Sequence, residues 1–173
     1  MGRSSDKRDL DRLVSSHLPE TLRFATRLTG SADRAEEVVA EALVRVSRGW
    51  ESFRGEARFR TWLYRIVINV FRDGHAARSR TEPLKDDPPD PRSPDPASEA
   101  WASELGQLVA DRVSALPPRQ REVLVLIAYE GLSPAEVARL LAISEANVHA
   151  TLHVARRRLR AQLGSLLMER CDE

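Results

Sequence analysis

The stretch that decides the fold is LPPRQREVLVLIAYEGLSPAEVARLLAISEANVHATLHVARRRLRAQL, residues 116–163. It holds two helix starts separated by a short turn. At the first, the Ser133 hydroxyl can cap the helix, Pro134 fits the first helical position and Glu136 can close a capping box. Ser144 starts the second helix. Two short helices joined this tightly predict a helix-turn-helix, whose second helix enters a DNA major groove.

Apolar residues follow the helical period in both of these helices. They are Val137, Leu140 and Leu141 in the first helix, and Val148, Leu152, Ala155 and Leu159 in the second. A simpler interpretation remains open, because short antiparallel helix pairs are common and a terminal arginine run often only complements the helix dipole.

The same stretch closely resembles the C-terminal promoter-binding domain of bacterial sigma factors. The matching segments are LPPRQREVLVL (116–126), the turn GLSPAEVARLLAIS (131–144) and the tail VARRRL (154–159). The resemblance implies a specificity subunit of RNA polymerase whose C-terminal domain binds the upstream promoter element.

The recognition helix departs from this family. The family commonly has a Lys-Ser-Arg run where this chain has His149-Ala150-Thr151, and often an arginine in place of Val154. Fewer cations weaken the phosphate contacts and the salt-dependent part of binding. We therefore assign the upstream contacts to base-reading Asn147, His149 and His153, to phosphate-binding Arg156, Arg157 and Arg160, and to Arg119 and Ser144.

Ala142 is a second departure, because the family frequently has glycine at this turn. If the residue adopts a positive φ, a strain of roughly 1 kcal/mol follows.

Charge is unevenly distributed along a chain whose net charge is only +1. Residues 54–80 carry seven arginines against two acids, a net charge of +5, and residues 81–104 carry seven acids against two cations, a net charge of −5. A basic block beside an acidic block predicts a nucleic-acid surface next to a solvated tether. Six of the ten prolines fall within residues 81–96, which favours an extended linker.

The helical period extends through most of the remaining sequence, and no strand signal or internal repeat occurs. We predict an all-α protein with an N-terminal helical domain at 6–80, an acidic Pro-rich linker at 81–97, and a C-terminal helix-turn-helix domain at 98–168. Pro19 predicts a kink or two consecutive helices in the first domain, and the third helix of that domain is expected to fade near Gly74.

Residues 59–69, FRTWLYRIVIN, mix aromatic and basic side chains at helical spacing. Single-stranded nucleic acid needs both, since cations track the phosphates and flat groups stack on unpaired bases. Phe59 and Trp62 are individually expected to be core residues, because large aromatic side chains usually bury. Tyr64 and Asn69 are harder to explain by packing, and an amide can read a base edge.

Residues 29–73 resemble the sigma-factor domain that binds the polymerase clamp and melts the downstream promoter element. Two such domains with a short linker are similar to the extracytoplasmic-function (ECF) group of sigma factors. The resemblance assigns polymerase binding to Glu36, Glu37, Val38, Glu41 and Arg45. It assigns melting and capture of a flipped base to Trp62, Tyr64, Arg65, Asn69 and Arg72, with Arg78 and Arg80 on the backbone.

Other functional classes are less consistent with the sequence. No catalytic or phosphate-binding motif occurs, so we expect no enzyme and no cofactor. The four histidines lack partners at metal-ligand spacing, so we expect no metal site. A single cysteine and the lack of a long apolar run predict a cytoplasmic protein without membrane insertion.

The resemblance therefore implies a monomeric initiation factor that binds core RNA polymerase through its clamp, contacts duplex and single-stranded promoter DNA, and is held by an anti-sigma factor. Two alternatives stay open. One is a sigma mimic that binds an anti-sigma factor without promoter activity. The other is a helix-turn-helix repressor, which requires dimerisation and a palindromic site.

Overall fold

The computed structural model describes residues 2–53, 58–81 and 104–169, with side chains over 8–53, 58–78 and 106–164. Within these ranges the chain is helical and has no strand, which confirms the predicted fold class. The α-helices are α1 (Gly2–Thr29), α2 (Ala32–Gly49), α3 (Phe59–Thr81), α4 (Glu104–Ser114), α5 (Pro118–Ala128), α6 (Pro134–Leu141) and α7 (Glu145–Glu169). A short 3-10 helix, Trp50–Ser52, follows α2.

The chain divides into two compact units, residues 1–84 and 85–173. Apart from Thr81, which ends α3, the predicted linker lies outside the described residues. The same is true of the predicted start of the C-terminal domain at residue 98, because its first described helix begins at Glu104.

The first unit packs α1, α2 and α3 around one apolar core. Phe24 and Leu28 of α1, Val39 of α2, and Leu63 and Val67 of α3 are all almost completely buried. The turn between α1 and α2 uses Gly30 at a φ of 73°. The Ser31 hydroxyl then caps α2 by accepting a hydrogen bond from the backbone amide of Arg34.

The helices at Pro19 and Gly74 extend further than local propensity indicates. α1 is a single helix that contains Pro19, so of the two predicted outcomes, a kink or two consecutive helices, the second does not occur. Leu10 before the proline and Phe24 after it are both buried, and this packing holds one helix across the missing hydrogen bond. α3 does not fade at Gly74 but continues to Thr81, since one helical glycine costs only about 1 kcal/mol.

The second unit contains α4 to α7, with a core of Val123, Val125, Leu126, Val137 and Val148. The predicted capping box at the start of α6 is present. The Ser133 hydroxyl accepts from the Glu136 amide at 3.3 Å, and the Glu136 carboxylate accepts from the Ser133 amide at 2.8 Å. Ala142, the C-cap of α6, lies in the left-handed region with φ 54° and ψ 50°, so the condition for the strain considered at this turn is met.

Candidate nucleic-acid and polymerase surfaces

α7 presents one polar, basic surface opposite its buried side. Val148, Leu152 and Ala155 face the core, whereas every α7 residue that we assigned to the upstream element is exposed. These residues are Asn147, His149, His153, Arg156, Arg157 and Arg160. The helix packing therefore leaves these side chains accessible to a DNA duplex whose major groove accepts the helix.

Local hydrogen bonds organise the first turns of α7. The Ser144 hydroxyl accepts a hydrogen bond from the backbone amide of Asn147 at 3.2 Å, so Ser144 acts as the N-terminal cap of α7. Thr151 donates its hydroxyl hydrogen to the Asn147 side-chain carbonyl at 3.1 Å. Because this bond engages the side-chain oxygen of Asn147, it orients the side-chain amide and directs its NH₂ group away from Thr151.

Arg119 is already engaged within the second unit. Its guanidinium lies 3.3 Å from a carboxylate oxygen of Glu122, whose side chain is only 1% exposed. Because a buried carboxylate requires a compensating charge, Arg119 has a structural role in addition to any contact with DNA. Residue type alone does not predict the burial of Glu122, since glutamate is mostly an exposed residue.

α3 carries the second set of predicted DNA contacts. Arg65 and Asn69 are exposed and Arg72 is half-buried, and their spacing of four and three residues places them on one side of the helix. Arg78 is also exposed, whereas the Arg80 side chain lies outside the described residues. The structure thus brings one amide and two guanidinium groups together on one face of α3.

Tyr64 does not belong to this surface, contrary to our assignment. Its ring is 1% exposed and stacks on Phe24 of α1 with a centroid distance of 4.1 Å. The Arg60 guanidinium lies 5.8 Å from the centre of the Tyr64 ring and donates a hydrogen bond to Glu20 at 2.9 Å. Tyr64 therefore helps to fix α3 against α1, and a base cannot stack on its ring.

Trp62 belongs to an aromatic cluster that the helical spacing of α3 does not predict. Its ring centroid lies 4.8 Å from that of Phe53 and 5.9 Å from that of Phe59. Phe59, as expected, is core, but Trp50, Phe53 and Trp62 are only half-buried. One feature of the sequence could have predicted this cluster: five of the nine aromatic residues of the chain lie between residues 50 and 64.

The outer side of α2 is acidic. Glu36, Glu37 and Glu41 are exposed and Val38 is half-buried beside them. Arg45 lies at the C-terminal end of this surface, and it donates hydrogen bonds to Glu41 at 3.0 Å and to Asp73 of α3 at 2.7 Å. These bonds, the one to Asp73 foremost, raise the pKa of Arg45, which remains a cation that joins α2 to α3.

Within the described ranges, no three histidine, cysteine or acidic side chains come together as metal ligands. The helices described there are also too short or too polar to cross a membrane.

Comparison with known proteins identifies the class of protein to which this chain belongs. The family model of sigma-70 region 2 matches residues 13–81, and that of sigma-70 region 4 matches residues 106–159. The first match covers α2 and α3 with most of α1, and the second covers the helix-turn-helix. The chain is therefore a sigma-70-type protein with one region in each of its two units.

Individual relatives show to which group of sigma factors the chain belongs. The chain is 33% identical to the ECF RNA polymerase sigma factor SigE of Mycolicibacterium smegmatis, over 88% of this chain and 61% of the relative. It is 30% identical to the RNA polymerase sigma-H factor of Pseudomonas aeruginosa, over 95% of this chain and 91% of the relative. It is also 30% identical to the ECF RNA polymerase sigma-E factor of Haemophilus influenzae, over 94% of this chain and 91% of the relative. The chain belongs to the family of ECF RNA polymerase sigma factors, which confirms the predicted family.

Solved structures support the fold. The sigma factor RpoE from Bartonella quintana, determined in complex with the anti-sigma factor NepR, superimposes with a TM-score of 0.71. The alignment covers 91% of this chain and 98% of that one at 23% identity. At this identity the likeness concerns the fold alone.

Proposed function

We propose that this chain directs core RNA polymerase to a specific set of promoters and helps to open them. The observation that carries the proposal is the pair of exposed polar faces on α3 and α7. Each face lies opposite a buried side that fixes its helix, and each combines guanidinium groups with an amide. Guanidinium groups bind phosphates and amides read base edges, so each face has the two elements that DNA recognition requires.

In this proposal the α7 face binds intact duplex at the upstream element. Asn147, His149 and His153 contact base edges, while Arg156, Arg157 and Arg160 contact phosphates. Ser144 holds the first turn of α7. Arg119 supports the domain through Glu122 and contributes a phosphate contact from its exposed side.

The α3 face binds the separated strand at the downstream element. Asn69 reads an unpaired base through its amide, and Arg65 and Arg72 bind the phosphates on either side, followed by Arg78 and Arg80. Trp62 lies at the half-buried edge of the aromatic cluster, and a displaced base can stack on its ring. Tyr64 takes no direct part.

The acidic surface of α2, formed by Glu36, Glu37, Val38, Glu41 and Arg45, is proposed to bind the polymerase clamp. The chain would then act in the cytoplasm, as a monomer in the holoenzyme and without enzymatic activity of its own. A family relative of this fold is known in complex with an anti-sigma factor, and we propose that such a partner also holds this chain.

Run-off transcription with purified core RNA polymerase tests the proposal. We expect a promoter-dependent product only when the full chain is added, and a loss of at least tenfold with Asn69→Ala. Ser15→Ala is the matched control, since Ser15 is an exposed polar residue on α1 that belongs to neither proposed face. Binding to an anti-sigma factor without binding to core polymerase would instead support the sigma mimic.

A further inference from the structure

Val154 has an unusual environment for an aliphatic side chain. It is 38% exposed, and among the described residues only Val44 is a comparably exposed large apolar residue. It lies two positions after the buried Leu152, and Ala150 lies two positions after the buried Val148. Two residues turn a helix by about 200°, so Ala150 and Val154 both lie on the solvent-facing side of α7, Ala150 opposite the core and Val154 towards one flank.

The surroundings of Val154 define what can cover it. Arg156, Arg157, Arg158 and Arg160 are all exposed on the following turns, and Glu145 is the only acidic residue between 145 and 164. This charge favours a polyanion and disfavours an acid-poor protein surface. Duplex DNA is the polyanion whose major groove accepts an α-helix.

An aliphatic side chain can recognise only one feature of a base-pair edge in that groove. Guanine, cytosine and adenine present hydrogen-bond donors and acceptors, to which valine and alanine contribute nothing. Thymine alone adds a methyl group at C5, and apolar side chains read thymine by covering it. The side chain of Val154 offers two methyl groups for this contact, and that of Ala150 offers one.

We propose that Val154, together with Ala150, makes this chain select thymine in the upstream promoter element through the C5-methyl group. The inference rests on the proposed function, because it requires α7 to enter the major groove. It adds a determinant of specificity that hydrogen bonding by Asn147 and the histidines does not supply.

The test uses holoenzyme assembled from core RNA polymerase and the full chain. Duplexes are first selected from a randomised pool, and each thymine of the selected duplex is then replaced in turn by deoxyuridine. This replacement removes one methyl group and leaves base pairing intact. At one or two adjacent positions we expect about fourfold weaker binding, the value of one buried methyl group.

Two variants connect this effect to Val154. With Val154→Ala, the preference for thymine over deoxyuridine should fall to about one at the position that Val154 covers. With Val154→Arg, selection should yield guanine at or beside that position, because arginine binds guanine O6 and N7. Val44→Ala is the matched control, since it truncates the other exposed valine and should preserve the preference.

The outcomes separate the inference from the proposed function. Failure to enrich any duplex would overturn the proposed function, and this inference with it. Enrichment of a duplex that binds equally well with thymine or deoxyuridine at every position would overturn the inference alone. An undiminished preference in Val154→Ala, with circular dichroism showing an intact fold, would also overturn it.

Discussion

Ala142 shows how a single residue can carry strain at the centre of the helix-turn-helix. A residue with a side chain at φ 54° has its Cβ close to the carbonyl oxygen, whereas glycine avoids the clash. Ala142→Gly should therefore raise the free energy of unfolding by about 1 kcal/mol. Urea denaturation followed by circular dichroism measures the change.

A second alanine provides the control for this prediction. Ala150 is exposed within α7, where the backbone is helical, and Ala150→Gly should lower the free energy of unfolding by about 1 kcal/mol. Opposite signs for the two substitutions would show that backbone conformation, and not the loss of a methyl group, sets the effect. A loss of stability in both would contradict the strain at Ala142.

Tyr64 and Asn69 show what residue type alone does not reveal. Both were predicted to contact DNA, yet Tyr64 is buried against Phe24 and Asn69 is exposed. Leu63 and Val67, four residues apart, lie on the buried side of α3, and Tyr64 lies at the edge of that side. Whether such a residue is buried depends on α1, which packs there and which is distant in sequence.

These two residues should therefore differ in stability and in function. Tyr64→Ala should lower the free energy of unfolding by about 3–5 kcal/mol, because it leaves a cavity beside Phe24. Asn69→Ala should change stability by less than about 0.5 kcal/mol while impairing promoter opening. Thermal denaturation and permanganate footprinting of unpaired thymines measure the two effects. Equal stability losses in both variants would contradict the assignment.

At the scale of elements, the start of α6 is determined by three neighbouring residues and was predictable for that reason. Ser133→Ala removes the hydroxyl that accepts from the Glu136 amide, so it should lower the free energy of unfolding by about 1 kcal/mol. Ser47→Ala is the control, because the Ser47 hydroxyl only donates to a carbonyl within α2. Urea denaturation of both variants should show a loss for Ser133→Ala alone.

The ends and interruptions of helices were less predictable. Local propensity predicts a kink or a second helix at Pro19 and a helix end near Gly74, but α1 and α3 each continue through these residues as one helix. Tertiary packing decides these cases, because Phe24 and Phe71, within one and a half turns of Pro19 and Gly74 respectively, are buried. Local sequence thus gives the caps, whereas long-range contacts decide how far each helix extends.

The Arg45–Asp73 ion pair joins two elements, and its effect should be small. Asp73→Asn should lower the free energy of unfolding by well under about 1 kcal/mol, since the Asp73 side chain is 63% exposed and solvent screens the pair. The loss should shrink further in high salt. Double-mutant cycles with Arg45→Gln measure the coupling, and a coupling that grows with salt would contradict an electrostatic origin.

The raised pKa of Arg45 also fixes the pH dependence of this pair. A pKa higher in the folded state than in the unfolded state gives stability that is fully present below the unfolded value. That stability is lost only as the pH rises through the folded value, which lies above the ordinary arginine pKa. Arg45 therefore contributes equally across the neutral range, and its titration should produce no change in stability between about pH 6 and 9.

At the scale of the whole molecule, the two-unit organisation could be predicted from sequence because a change in composition separates two helical patterns. Each unit has its own buried core, with Phe24, Leu28 and Leu63 in the first and Val123, Leu126 and Val137 in the second. A compact unit with its own core can fold alone. The fragments 1–84 and 85–173 should therefore each unfold cooperatively when they are expressed separately.

Separating the fragments should nevertheless reduce transcription. When both faces lie on one chain, binding of the first unit to polymerase raises the effective concentration of the second unit at the upstream element to about the millimolar range. Micromolar fragments supplied together should thus give at least tenfold less run-off product than the intact chain at equal concentration. Because effective concentration acts through mass action, raising fragment 85–173 alone should restore the product progressively. Undiminished activity of the mixed fragments at every concentration would show that the covalent link between the two units plays no part in promoter recognition.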